Sequence, residues 1–188
     1  KMKYKLNEAD GAFYGPKIDF HIKDAIGRTW QCATVQLDLF MPERFNVEYA
    51  GQDGKLHRPV IIHRVIYGAI ERFMGILIEH YAGAFPLWLS PLQAVVLPIT
   101  DNNIEYAESV RSALADSGLR VSLDDDSKTL QYKIREAQMQ KVPYMLVVGD
   151  KEQGAGTIAV RNREGKTQYG VSKEKFVEQM KKEIEERK

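Results

Sequence analysis

The stretch from Val60 to Arg72, VIIHRVIYGAIER, gathers the residue types best able to do chemistry in a short space. An apolar run, Val60, Ile61 and Ile62, ends in the pair His63 and Arg64, and a helix-like run with Gly68 and Arg72 follows. Histidine can hold a metal or a proton. Arginine presents a planar fork of donors that fits a carboxylate or a phosphate. A helix beginning at Arg64 would place Arg64 and Arg72 near one face, since their spacing is a little over two turns at about 3.6 residues per turn. A buried strand, a polar junction and a helix with a placed cation together describe a site for an anionic ligand such as a nucleotide phosphate. Taken alone, such an arginine is more often a solvated side chain and such a histidine more often structural.

Strands upstream must position such a site. GAFYGPKID, from Gly11 to Asp19, reads as a turn followed by a strand. Thr29 to Asp38, TWQCATVQLD, reads as a second strand. Strand alternation sets Gln31, Ala33 and Val35 against Cys32, Thr34 and Gln36. Strands built for burial alone rarely carry Gln, Thr and Gln so close together, so these amide and hydroxyl groups point to ligand recognition.

In this order, GAFYGPKID, WQCATVQLD and IIHRVIYGAIER resemble the C-terminal part of the threonyl-tRNA synthetase family, which are class II aminoacyl-tRNA synthetases. The resemblance runs along essentially all 188 residues. Prolyl, histidyl and glycyl relatives share the architecture but not the WQCATVQLD text. It implies an α/β chain: an antiparallel-sheet catalytic-domain remnant of class II type over 1–88, then a mixed-sheet α/β anticodon-binding domain over 89–188. The implied activity is a ligase that activates threonine with ATP and Mg and transfers it to threonine tRNA. Arg72 matches the arginine of the third class II motif, which clamps ATP. Lys17 matches a lysine near the α-phosphate, and Gln31 a side chain on the nucleotide side of the pocket. Tyr14, Gln31, Thr34 and Gln36 would line the threonine pocket. Ala69 stands where a serine is common beside the adenosine.

His63 matches one of three protein ligands of a zinc ion. An open metal position rewards the hydroxyl that separates threonine from valine, two side chains an apolar pocket separates poorly. The other candidates, Cys32, His21, His57 and His80, have no paired metal spacing with His63. In the family the other two ligands, the first two class II motifs and the editing region precede the region present here. The chain is therefore expected to be part of a larger cytoplasmic, homodimeric synthetase and inactive by itself. The competing reading is a non-enzymatic RNA-binding module that retains a vestigial catalytic half. A synthetase for another amino acid is disfavoured by WQCATVQLD together with His63.

Composition bounds these readings. The chain is 44% hydrophobic and has one cysteine, Cys32, which excludes an internal disulfide framework. No run approaches the roughly 20 apolar residues of a membrane span. Lys and Arg number 27 against 26 Asp and Glu, so nucleic-acid binding must rest on a local patch. Lys133, Arg135, Lys141, Lys151, Arg161, Arg163 and Lys166 form a candidate patch, interrupted by acidic residues. By the resemblance, Glu152 and Arg161 would read anticodon bases. Asp126 and Ser127 stand where relatives commonly have Arg-Asn, so the phosphate or base contacts expected at those two positions are left open.

Pro86 and Pro91 mark a boundary. Before it, a helix over 64–81 is expected, with Ile66, Ile70, Phe73, Met74 and Leu77 as a buried stripe and Gly83 as its cap. Gly68 would cost about 1 kcal/mol in a helix interior. Close approach of a strand or ligand explains it better. After the boundary, strands are expected over 93–99, 119–123 and 143–148. Helices should carry Ile104 to Leu114 and span 127–140. A hairpin should turn around Gly165, and a last helix should start near Ser172.

Overall fold

A computed structural model describes residues 3–8 and 10–188 and divides into two compact units, Lys1–His80 and Tyr81–Lys188. The first is built on a three-stranded antiparallel sheet of β1 (Lys17–Lys23), β2 (Thr29–Asp38) and β5 (Ile61–Val65), with β2 in the centre. A short helix α1 (Met41–Arg44) and a two-stranded ribbon of β3 (Tyr49–Ala50) and β4 (Leu56–His57) fill the connection from β2 to β5. Helix α2 (Ile70–Tyr81) follows.

Two features of this unit depart from the alternation read in the sequence. Phe20 pairs with Ala33 but His21 pairs with Gln31, so Cys32 is an extra residue in β2. Such a bulge reverses the facing of everything before it. Gln31 therefore shares the face of Thr34 and Gln36 instead of opposing it. The second departure is the helix start. Arg64 lies on β5, and Gly68 has φ +69°, so the helix begins only at Ile70 and Arg64 and Arg72 share no helix face. A Cβ on Gly68 would stand 2.8 Å from the carbonyl oxygen of Cys32, the bulged residue. The expected close approach is thus that of a strand, and the glycine is required twice, by its φ and by that contact.

The apolar stripe expected on the helix is not buried either. Only Ile76 of α2 is buried. Ile70 and Met74 are exposed, as is Ile66 in the preceding turn. On the sheet, Ile18, Phe20, Leu37 and Ile62 also remain exposed. Ile18–Val35–Arg64 and Leu37–Ile62 are registered neighbours, so these residues share the face opposite Gln36 and His63.

In the second unit the strand order is β10-β9-β8-β6-β7. Strand β6 (Ala94–Pro98) pairs in parallel with β7 (Val121–Leu123) and β8 (Tyr144–Val148); β8, β9 (Thr157–Asn162) and β10 (Thr167–Ser172) are antiparallel. Every residue of β6, AVVLP, is buried, as an unbroken apolar run demands of a central parallel strand. One face packs Ala94, Val96, Leu146 and Ile158 against Val110 and Leu114 of α3 (Ile104–Asp116) and Phe176 and Met180 of α6 (Lys173–Glu185). The other packs Val95, Leu97 and Met145 against Ala137 of α4 (Leu130–Met139). Thr129 and Ser172 cap α4 and α6 by accepting from the amides of Tyr132 and Lys175. Gly118, at φ +87°, follows α3. The element not foreseen is α5 (Asp150–Ala155), a helix of six residues between β8 and β9.

The fold makes one prediction at Gly68. Gly68→Ala should destabilise the first unit by about 1–3 kcal/mol, the range for a side chain forced into left-handed backbone. Thermal melting of the variant measures this, and an unchanged melting temperature would contradict the role given to the glycine.

Candidate functional site

Register assembles one polar face on the three-stranded sheet. Lys17, Gln36 and His63 form one cross-strand row, and Asp19, Thr34 and Val65 the next. Gln31 joins this face through the bulge. Asp19 is its hub. Its Oδ1 accepts from Gln31 Nε2 at 2.7 Å and from the Thr34 hydroxyl at 2.7 Å, and its Oδ2 meets Lys17 Nζ at 3.0 Å. Gln31 Nε2 also donates to Thr34 Oγ1 at 3.0 Å. Burial pushes the Asp19 pKa up, but the bonds from Thr34 and Lys17 outweigh it and hold it below the usual carboxylate value. The same hydrogen bond raises the Lys17 pKa. The site thus keeps a full cation and a full anion side by side, with an amide and a hydroxyl locked in orientation.

Tyr14 closes one end. Its hydroxyl donates to Gln36 Oε1 at 2.8 Å, and its ring stands 5.9 Å from that of His63. The turn that carries it approaches β2 so closely that a Cβ on Gly15 would overlap the Leu37 carbonyl. His63 Nε2 lies 2.8 Å from Asp38 Oδ2.

Arg72 reaches the sheet from α2. Its guanidinium lies 5.9 Å from the centre of the Trp30 ring, and that of Arg28 lies 5.5 Å from the same ring, both within cation–π range. Arg72 makes no ion pair among the described residues. Trp30 is held in turn by Asp24, whose Oδ2 accepts from the indole N–H at 2.8 Å. Asp24 also takes the backbone amides of Ile26 and Arg28 and the Arg28 Nε. Burial works against its charge, but these donors prevail and lower its pKa from 3.8 to about 2.

The structure therefore brings Tyr14, Lys17, Gln31, Thr34, Gln36 and His63 onto one face, whereas Arg72 meets Trp30, which precedes Gln31 in β2 and by strand alternation lies on the other face. Sequence reading missed Asp19, Asp38, Asp24 and Trp30, the residues that hold the others. The available signal was position: Asp19 lies two residues after Lys17 on one strand, and hence on the same face. Among the described residues no three His, Cys, Asp or Glu stand together to hold a metal. His63 fits the part of a single ligand, since its Nδ1 has no hydrogen-bond partner among the described residues.

In the second unit, Glu152 sits in the first turn of α5 and accepts from the Gly149 amide at 3.1 Å through Oε2. Asn103, 1% exposed, fastens that helix: its amide donates to Asp150 Oδ1 at 2.8 Å and to Gln153 Oε1 at 2.9 Å. Arg161 lies on β9, registered between Met145 and Thr167. Its Nε is buried without a partner, and its Nη1 has one long contact to Thr167 Oγ1 at 3.5 Å. No ion pair joins Glu152 and Arg161. Two members of the expected basic patch are engaged by backbone carbonyls, Lys133 from a buried position and Arg163 from a partly buried one. Lys133 is 4% exposed and donates to the Asp124 carbonyl, and Arg163 donates to the carbonyls of Phe85 and Lys141. Asp126 and Ser127 line a crevice with Thr100, Asp101 and Lys128, at the C-terminal end of β6. Asp126 is paired to Lys128 at 2.8 Å.

Comparison with known proteins fits each unit to a family. The model described as "tRNA synthetase class II core domain (G, H, P, S and T)" matches residues 2–81, and "Anticodon binding domain" matches residues 93–183. An antiparallel sheet with one polar face, followed by a mixed α/β domain, is in these terms the plan of a class II aminoacyl-tRNA synthetase. A threonine--tRNA ligase of Clostridium novyi (strain NT) is 58% identical over 186 residues, covering 99% of this chain and 29% of that protein. One of Clostridium tetani is 57% identical over the same length. A crystal structure of the RNA binding domain of threonyl-tRNA synthetase from Cryptosporidium parvum Iowa II superposes with a TM-score of 0.87 at 41% identity, covering 96% of this chain and 46% of that one. Along 99% of its length the chain is thus similar to threonine--tRNA ligases, and it spans 29% of the length of these curated relatives.

The Asp24 arrangement makes a pH prediction. A carboxylate whose folded pKa lies below its unfolded value stabilises the fold above the unfolded value, and that contribution fades as pH falls through the folded one. Asp24→Asn should therefore lower the melting temperature of the first unit at neutral pH. The gap to the unaltered chain should close between about pH 4 and pH 2. Melts followed by tryptophan fluorescence across that range check it. A gap that stays constant would remove the charge from the explanation.

Proposed function

We propose that this chain works as part of a ligase that activates threonine with ATP and transfers it to threonine tRNA. In this reading the first unit supplies half of the activation site and the second reads the anticodon. The observation that carries it is the polar sheet face, where one carboxylate orders Lys17, Gln31 and Thr34 beside Tyr14, Gln36 and His63. Arg72 and Lys17 would hold the ATP phosphates with Mg. Their charge stabilises the transition state by position, and no covalent protein intermediate is needed. Gln31 would sit on the nucleotide side, and Tyr14, Thr34 and Gln36 would line the threonine pocket. His63 would be one of three zinc ligands, and bound zinc would supply recognition of the threonine hydroxyl. The remaining donors, and a cover for Ile18, Ile62 and Ile70, would come from the rest of a relative-length, cytoplasmic, homodimeric protein. On this reading the chain by itself catalyses no threonine-dependent pyrophosphate exchange.

In the second unit, Glu152 Oε1 has no hydrogen-bond partner among the described residues and could accept from a base amino group, and Arg161 has donors for base acceptors. Bases splayed from a loop are open to such contacts. Titration of the chain with threonine anticodon stem-loops at two salt concentrations tests this. Glu152→Ala and Arg161→Ala should each reduce discrimination between cognate and altered anticodons by about 1–3 kcal/mol. Equal losses for both loops would demote the pair to backbone or structural contacts.

The metal assignment is tested within a ligase of the relatives' full length that ends in this sequence. His63→Ala should remove zinc by metal analysis and abolish threonine activation, with a smaller effect on ATP binding. Full zinc occupancy in the variant would overturn the assignment.

A further inference from the structure

Asp38, at the end of β2, is 1% exposed, and its two oxygens have separate tasks. Oδ1 accepts from the amides of Phe40 at 3.0 Å and Met41 at 2.9 Å, where α1 begins. Those bonds fix the plane of the carboxylate. Oδ2 is left facing β5, 2.8 Å from His63 Nε2. Asp38 lies beside Gln36, whose cross-strand partner is His63, so the contact runs diagonally across one sheet face. A carboxylate only accepts, so the ring nitrogen facing it must carry the hydrogen. A neutral imidazole has one N–H, which leaves the electron pair on Nδ1. The ring is half-exposed and rests against Tyr14.

We propose that Asp38 is a positioning residue that fixes His63 as the Nε2–H tautomer and so presents Nδ1 as the electron-pair donor to a divalent metal. The metal half of this rests on the reading of His63 as a zinc ligand; the tautomer stands on the hydrogen bonds alone. Carboxylates behind ligating histidines set ring orientation and basicity in this way.

Nitrogen-15 shifts of the imidazole in the 188-residue chain read the tautomer directly. The measurement is made at about pH 8, above the ordinary histidine value of about 6.5. His63 should show a protonated Nε2 and an unprotonated Nδ1. Asp38→Asn keeps an oxygen for the Phe40 and Met41 amides but turns an NH2 group toward the ring. It should therefore move the hydrogen to Nδ1. Unchanged amide shifts at Phe40 and Met41 show that the start of α1 survives, and Asp38→Ala should give a mixture of tautomers. In the full-length ligase, Asp38→Asn should weaken zinc by about 10–100-fold. A hydrogen on Nδ1 in the unaltered chain, as the other tautomer, an even mixture or imidazolium, overturns the proposal. Unchanged zinc affinity in Asp38→Asn, where His63→Ala loses the metal, overturns it as well. Zinc retained by His63→Ala would instead sink the ligand reading and leave the tautomer to stand or fall on its own shifts.

Discussion

One carboxylate sets the geometry of the first unit. Asp19 is mostly withdrawn from water, and such a group keeps its charge only if donors surround it. The donors it has are Lys17, Gln31 and Thr34, three side chains with separate parts in the proposed site. Their orientations are thus not independent choices. The amide of Gln31 is turned, the Thr34 hydroxyl hydrogen is aimed, and Lys17 is drawn down to the sheet, all to satisfy one anion. A preorganised polar site needs this kind of support, because side chains that must reorient during reaction lose the advantage of position.

The backbone makes that convergence possible through an irregularity. In a regular β2, Gln31 would face away from Thr34. The extra residue at Cys32 turns it back, and Gly68 is the residue whose missing Cβ lets the next turn of chain lie against the Cys32 carbonyl. Bulge and glycine are therefore two sides of one contact. Beyond it α2 starts, and with it Arg72 comes over Trp30.

The sequence makes some of this legible and hides the rest for identifiable reasons. The order of strands and helices in the second unit follows from runs such as Ala94–Pro98 and from caps such as Ser172, signals that are local. The membership of the polar face follows from strand text, Lys17 through Gln36. The side on which Gln31 lies does not, because a bulge is a matter of pairing between strands. Burial of Lys133 is likewise non-local: a lysine in a charged stretch reads as solvated until a carbonyl such as that of Asp124 stands over it. Helix α5, six residues long and containing Gly154, is too short to show a period. The apolar stripe on α2 is legible as apolar, yet periodicity cannot say whether its covering surface lies within these residues.

The segment before β6 has a consequence for how the second unit is joined to anything else. Leu87 is buried in that unit's core, and its amide donates to the Lys188 carbonyl at 3.0 Å. Arg120 grips the carbonyls of Ser90 and Trp88, and Gln93 that of Leu87. The chain thus arrives and departs at neighbouring points. A module with adjoining ports can be spliced into a longer polypeptide, or cut and rejoined at another loop, with little loop entropy to overcome, because its fold already holds the two openings side by side.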